Sequence, residues 1–414
     1  MLKRLFGAVL KEGRFTVFFP NGKSESSGAG EPHVAIKLQD WRAVAALALH
    51  PELKFGELYV DGRLTIQEGD VESLLALLMR NVELSSPSGL YRALRSFRHI
   101  TRPLAQFNPM PRARKNVAHH YDLSGQLYGF FLDRDRQYSC AYFPRGDETL
   151  EQAQIAKKRH IAAKLVLDKP GLKILDIGCG WGGLALDLAR DAGADVLGVT
   201  LSEEQIAVAR ERSEKARLSD RCRFKLVDYR ALSGTYDRIV SVGMFEHVGL
   251  PQYPAFFNKA RDLLAADGVM LLHTIGRLDG PGSTNPWIAK YIFPGGYAPA
   301  LSEIMPAIEK SGLKITDIEV LRLHYAQTLK EWRRRFNRNR AEIAKIYDER
   351  FCRMWEFYLV GAEMAFRYDG EVVFQIQLAK RQDAVPLTRD YMLDAERTMA
   401  FAGVEQSPRP FRAA

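Results

Sequence analysis

Lys173–Gly183 reads KILDIGCGWGG, and this stretch decides the fold. The run Lys173 to Ile177 has strand character and enters a turn in which Gly178, Gly180 and Gly182 alternate with other residues; the pattern Leu184 to Arg190 that follows has helical spacing. Glycine at those places lets the chain turn tightly and lets a ligand come close to the backbone, while the free N–H groups at the start of the next helix face the same spot. The spacing is G-x-G-x-G, not the G-x-G-x-x-G of dinucleotide-binding turns. Packing glycines in a plain strand-to-helix turn are the alternative reading.

Working outward, Val196–Thr200, Arg223–Val227, Arg238–Val242 and Val269–His273 are further strand candidates separated by helical patterns, which predicts a largely parallel α/β sheet. With Asp176 ahead of its glycines, the first unit resembles the opening motif of the class I S-adenosylmethionine-dependent methyltransferases. That likeness implies S-adenosylmethionine as the ligand. Many such enzymes place an acidic residue at the end of the second strand, but GVTLSEEQ, Gly198 to Gln205, has Thr200, Leu201, Ser202 and Gln205 there.

Other blocks narrow the resemblance: AHHYDLSGQLYGFFLDRDRQYSCAYF (Ala118–Phe143), VGMFEHVG (Val242–Gly249), LLHTIG (Leu271–Gly276), NPWIAKYIFPGGYAPALSE (Asn285–Glu303) and VPLTRDY ending at Tyr391. Together they resemble the cyclopropane fatty acid synthase family, which includes the mycolic acid cyclopropane synthases and related fatty acyl methyltransferases. The resemblance implies an α/β fold, a Rossmann-like class I methyltransferase sheet with helical insertions, preceded by a small α+β domain. It also implies methyl transfer from S-adenosylmethionine to the cis double bond of a phospholipid acyl chain, with ring closure after a bound bicarbonate ion takes a proton. Carried over by motif, Glu246, His273 and Tyr325 hold the bicarbonate, backbone N–H groups near Cys140 and Ile275 contribute, and Glu246 orients His273. Tyr138, Ser139, Asp176, Gly178, Cys179, Gly180, Gly182, Thr200, Leu201, Ser202, Gln205, Asp228, Tyr229 and Val242 are assigned to the cofactor. A capping carboxylate, a satisfied core histidine and a packing tyrosine are the alternatives for Glu246, His273 and Tyr325. Several family members have a cysteine where FYLVGAEMAFR places Ala362, so no nucleophilic thiol is assigned, and Cys352 is read as structural.

The 414 residues suit two or three domains, and 59 Lys+Arg against 50 Asp+Glu give a net charge of +9, which favours a polyanionic partner. Residues 1–84 are expected to form an α+β lobe for lipid contact or dimerisation, with strands at Arg14–Phe19, His33–Leu38 and Glu57–Ile66, the last holding an Asp61-Gly62 hairpin turn, and helices at Trp41–His50 and Asp70–Val82. Residues 85–116 form a basic linker. Within it, Leu90–Lys115 carries seven Lys or Arg and no acid, which suits a helix lying on anionic lipid or a solvated linker helix. Residues 117–414 are the catalytic domain. A second basic and aromatic run, Lys330–Arg338, grips head groups or is a charged solvated face, and YIFPGGY, Tyr291–Tyr297, is a lid or a plain buried loop.

No apolar run approaches the roughly 18 to 20 residues of a spanning helix, and the N-terminal run Leu5–Leu10 is too short for a secretion signal. The four cysteines lie too far apart for a zinc site or a disulfide framework, so no metal is expected. The expected partner is an anionic or zwitterionic phospholipid bilayer with unsaturated acyl chains, approached from the cytoplasm by a peripheral homodimer; no nucleic-acid motif is present. A fatty acyl C-methyltransferase giving a branched chain, and a noncatalytic adenosylmethionine-binding module, are the competing readings.

Overall fold

A computed structural model describes residues 10–83, 106 and 125–399. The basic stretch 90–115, apart from Gln106, and the Ala118–Ser124 end of the first family block lie outside the described residues.

The N-terminal lobe runs β1 (Gly13–Phe18), β2 (Ser24–Ala29), β3 (His33–Leu38), α1 (Trp41–Leu49), α2 (Pro51–Val60), β4 (Leu64–Glu68) and α3 (Val71–Glu83). Its sheet has the order β2-β1-β3-β4, with β1 and β3 parallel and the two outer pairings antiparallel. Phe15, Val17, Val34, Ile36 and Leu38 pack against Leu74 and Leu77 of α3, and the same core takes in Val360 and Met364 from far along the chain. Helix starts are fixed by side chains: the Asp40 carboxylate accepts the Ala43 N–H at 2.8 Å, and Asp70 accepts that of Ser73 at 2.7 Å, as expected of an N-cap.

Two expectations for this lobe change. Glu57–Val60, expected in a strand, is the last turn of α2, which Pro51 starts at a position where its missing N–H costs nothing. Asp61-Gly62 therefore turns a helix into β4, with Gly62 at φ 71°, and closes no hairpin. β2, unforeseen, is the almost wholly exposed edge strand SESSGA, which has no apolar alternation to read.

The second unit continues α4 (Gly125–Phe131), α5 (Leu150–Lys164), β5 (Lys173–Ile177), α6 (Gly183–Asp191), β6 (Asp195–Thr200), α7 (Glu203–Lys215), β7 (Cys222–Leu226), β8 (Tyr236–Val242), α8 (Tyr253–Leu263), β9 (Leu264–Arg277), α9 (Pro286–Tyr291), α10 (Leu301–Ser311), β10 (Lys314–Leu321), α11 (His324–Arg338), α12 (Arg340–Ile346), α13 (Glu349–Tyr368), β11 (Glu371–Ala379) and α14 (Asp390–Thr398). Its seven strands lie in the order β10-β11-β9-β8-β5-β6-β7. All five expected strands are present and mutually parallel, while β10 and β11 add an unforeseen antiparallel edge. From β5 the chain winds through β6 to β7 and then returns to β8 on the other side of β5. The switch point beside β5 is where an open α/β sheet offers a crevice to a ligand.

A third, aromatic layer sits beyond the strand ends, with Tyr128 and Phe131 of α4, Trp332 and Phe336 of α11 and Trp355 of α13 all buried. This explains the Lys330–Arg338 run: Trp332 and Phe336 face inward, Arg333 pairs with Glu72 and Glu363, and Arg335 with Glu151, leaving Lys330, Arg334 and Arg338 exposed. Among the described residues, no helix is long and apolar enough to cross a membrane.

Candidate functional site

The turn after β5 opens into a cavity at the switch point, and its glycines divide the work. Gly180, at φ 54°, lines the cavity, and a Cβ there would meet no protein atom within 4 Å. Gly178, at φ 85°, also lines it and lets Met244 approach to where a Cβ would stand 2.7 Å from the Met244 Cβ. Gly182 does something else. It lies outside the cavity, and a Cβ on it would stand 2.7 Å from Cζ of Phe224 and 3.0 Å from Cβ of Ala209, so this glycine packs α6 onto its neighbours.

The other walls come from strand ends and from the segment 136–139. Thr200 ends β6 and Leu201 follows it, Asp228 and Tyr229 follow β7, and Val242 ends β8 with Gly243 and Met244 after it. The Thr200 hydroxyl donates to Gln205 Oε1 at 2.9 Å, which turns both toward the cavity. Ser202 instead caps α7 by accepting the Gln205 N–H at 3.2 Å and is not part of the lining. The Asp228 carboxylate is held by Arg230 at 2.7 and 2.9 Å. Asp176 is buried with Oδ2 unpartnered, and burial pushes its carboxyl up to about 7 against the pull of Lys157.

Helix α5 holds the remaining wall. Its start is fixed by a reciprocal Thr149–Gln152 cap, and Lys157, His160 and Lys164 form one inward stripe, spaced three and four residues apart. Lys157 Nζ donates to Gln137 Oε1 at 2.6 Å and to Ser139 Oγ at 2.8 Å, while Gln154 donates to the Ser139 carbonyl at 3.0 Å. Burial lowers the Lys157 ammonium to about 8, with Asp133 acting in the opposite sense. The Tyr138 ring, between these anchors, stacks on Trp332 at 5.1 Å, and its hydroxyl lies 2.9 Å from that of Tyr358.

On the β9 side, Glu246 sits in a single 3-10 turn after β8. Its Oε1 accepts the Ile275 N–H at 2.6 Å; its Oε2 is buried without a partner, and burial pushes the carboxyl up to about 7. A strand alternates faces, so His273 and Ile275 point the same way, and Ile275 packs on the aromatic layer that contains Cys140 and Tyr325. Tyr325 is edge-on to Trp332 at 5.8 Å. Burial raises the Cys140 thiol far above its usual range, so it stays neutral here.

Two expected contacts are arranged differently. The Ile275 N–H is taken by Glu246 rather than left for an anion, and His273 meets Gln375 at 3.1 Å rather than Glu246. Twelve of the fourteen cofactor assignments line the cavity; Gly182 and Ser202 do not. Gln137, Trp181 and His247 line it and were missed, although each falls inside a quoted block: Trp181 is the W of GCGWGG, and His247 lies in VGMFEHVG.

The cavity fits a nucleoside with a charged tail: a glycine cradle open to a ligand, hydroxyl and amide groups at the β6 end, and a buried carboxyl at Asp176 that a cationic neighbour would ionise; Glu246, His273 and Tyr325 are not part of its lining. Comparison with known proteins agrees. Residues 109–376 match the family model described as mycolic acid cyclopropane synthetase, and residues 1–86 match a domain of unknown function. A probable fatty acid methyltransferase of Pseudomonas putida is 36% identical over 358 residues, 84% of this chain and 88% of the relative. The cyclopropane-fatty-acyl-phospholipid synthase of Escherichia coli K12 is 43% identical over 261 residues, 63% of this chain and 66% of the relative. Among solved structures, mycolic acid cyclopropane synthase CmaA1 complexed with SAH and CTAB has a TM-score of 0.61 at 35% identity, covering 66% of this chain and 99% of that one. The glycine cradle, the strand order and these matches together place the chain in the mycolic acid cyclopropane synthetase family, as an S-adenosylmethionine-dependent methyltransferase.

Proposed function

We propose that the protein converts the cis double bond of an unsaturated acyl chain in a membrane phospholipid into a cyclopropane ring. S-adenosylmethionine supplies an electrophilic methyl group. The alkene π electrons form the new carbon–carbon bond to that methyl as the carbon–sulfur bond breaks; the resulting carbocation closes the ring when a C–H bond of the added methyl gives up its proton. An alkene is a weak nucleophile, so the site must exclude water and hold the chain beside the donor.

The observation that carries this reading is the pairing of a buried aromatic wall with one buried carboxyl, Glu246, that keeps an oxygen free. In its ionised form that carboxyl offsets transient positive charge on the acyl chain. Glu246, His273 and Tyr325 are the residues that would hold a bicarbonate ion, which would supply a base there; the unpartnered Oε2 of Glu246 fits such a neighbour. The exposed cations of α11 and the basic stretch 90–115 suit a peripheral approach to anionic lipid from the cytoplasmic face. The domain limits at 84 and 116, lipid contact or dimerisation by the N-terminal lobe, and closure of Tyr291–Tyr297 over the acyl chain belong to the same proposal.

Incubation with methyl-labelled S-adenosylmethionine and vesicles of cis-unsaturated phospholipid tests it. Cyclopropyl protons in the NMR spectrum of the released acyl chains are the expected result. A labelled methyl or methylene branch without a ring would overturn it in favour of a fatty acyl methyltransferase, a reading favoured by the Pseudomonas putida relative, whose match spans 84% of this chain.

A further inference from the structure

His273 is gripped from behind. Its Nδ1 lies 3.1 Å from Nε2 of Gln375, the residue directly opposite it in the β9–β11 pairing. The other end of that amide, Oε1, is 2.6 Å from Nζ of Lys164. An ammonium group has donors only, so the amide must turn its oxygen to Lys164 and its nitrogen to His273. The amide nitrogen is also donor-only; Nδ1 must therefore accept, and the proton of the neutral ring must sit on Nε2.

Lys164 is itself held. It ion-pairs with Glu319, whose carboxylate is also 2.6 Å from Nε2 of His160, and Glu396 stands 2.5 Å from Nδ1 of that ring. Gln377 donates to the Lys164 carbonyl at 2.5 Å and to the Tyr391 hydroxyl at 2.7 Å, tying the end of α5 to β11.

We propose that Lys164 and Gln375 are positioning residues that lock His273 in its Nε2–H tautomer, so that the ring serves the site as a hydrogen-bond donor to a bound anion and not as the base. The inference rests on the reading that His273 faces that anion. Protonating Nδ1 would require the Gln375 amide to rotate and set its NH₂ against the Lys164 ammonium, two donors facing each other in a buried place. Burial first, then the cations at Lys157, Lys164 and His160, also hold the ring well below its usual range, with Glu319 acting in the opposite sense. The proton lost from the added methyl group therefore goes to a different acceptor.

Nitrogen-15 NMR of full-length protein labelled at histidine reads the tautomer directly, with the signals of His273 identified by their loss in His273→Gln. The expected wild-type spectrum shows a protonated Nε2 and a bare Nδ1 across neutral pH. Gln375→Glu keeps an acceptor for Lys164 but offers His273 another in place of the N–H, so the ring proton should move to Nδ1. Methyl transfer should then fall roughly tenfold or more while S-adenosylmethionine affinity holds. A bare Nε2 or an imidazolium in the wild type would overturn the proposal even in an active enzyme, and that spectrum decides the matter if Gln375→Glu does not fold. A shifted proton with undiminished turnover would overturn the functional role. The expected tautomer without transfer to any acyl lipid would instead defeat the proposed reaction and leave the tautomer lock standing.

Discussion

The two halves of the site are built by different means. The cofactor half is mostly backbone and short-range side-chain contacts at strand ends: Gly178 and Gly180, the Thr200–Gln205 bond, the Asp228–Arg230 pair. The half proposed to face the acyl chain is held by contacts between distant parts of the chain, with His273 and Gln375 102 residues apart and His160 and Glu396 236 apart. A cradle for a nucleoside is a matter of turn geometry, which a few neighbouring residues can set. Placing a buried carboxyl and a neutral ring requires partners that cancel their desolvation, and only the folded sheet brings those together.

Substitutions that damage one half alone would sharpen this contrast. The largest effect is expected from Glu246→Gln: turnover should fall about 10²- to 10⁴-fold, while calorimetry shows S-adenosylmethionine binding nearly unchanged. Loss of binding as severe as the loss of turnover would erase the division. Gly180→Val is the converse, filling open cradle space at a positive φ, and should weaken S-adenosylmethionine binding by about tenfold or more, roughly 1.4 kcal/mol.

The pH profile gives a third comparison. The Glu246 carboxyl, raised from 4.5 to about 7, holds its proton more tightly folded than unfolded, so its contribution to stability is full below about 4.5 and is lost as pH rises through about 7. The stability difference between wild type and Glu246→Gln, read from unfolding curves, should therefore move in the variant's favour across that window by about 3 kcal/mol at most. Turnover should rise across the same window, because the ionised form is the one that offsets positive charge; a fall would assign the working role to the protonated acid. Smaller still, Gly182→Ala should cost about 1–3 kcal/mol of stability, from its φ of 82° and the contacts with Phe224 and Ala209, and spare cofactor affinity once folded. A matching loss of affinity would show that the three glycines act as one unit.

The same contrast explains what could be read from the sequence. The β5–α6 unit was legible to within a residue at each end, because an apolar strand, a glycine turn and a helix lie in one continuous stretch. The order of the parallel strands follows from winding rules once that unit is placed. The strand β10 at the edge and its neighbour β11 were not read: β10 pairs only with β11, and the polar Gln375 and Gln377 interrupt the apolar run of β11 for the sake of His273 and Lys164. Glu57–Val60 misled because Tyr59 and Val60 favour strands singly, whereas the helix nucleated at Pro51 buries Phe55 and Leu58 in the lobe core and Val60 against the aromatic layer. For the site, the family resemblance named Glu246 and His273, but nothing in the order of residues said that Gln375 would stand behind the histidine.

Helix α5 touches both halves at once. Lys157 grips the cavity wall at Gln137 and Ser139, and Lys164 grips the amide behind His273, seven residues and so about 10 Å farther along one rigid rod. The spacing between the cavity wall and the support of His273 is thereby set on a ruler marked in helical turns. Inserting a single residue between Lys157 and Lys164 would swing one grip by about 100° and release one half of the site, whereas an insertion of seven would keep both lysines on the stripe. Such an insertion would still carry the two grips about 10 Å further apart, so the length of this segment is fixed in both register and reach, and sliding α5 along its axis moves both grips together.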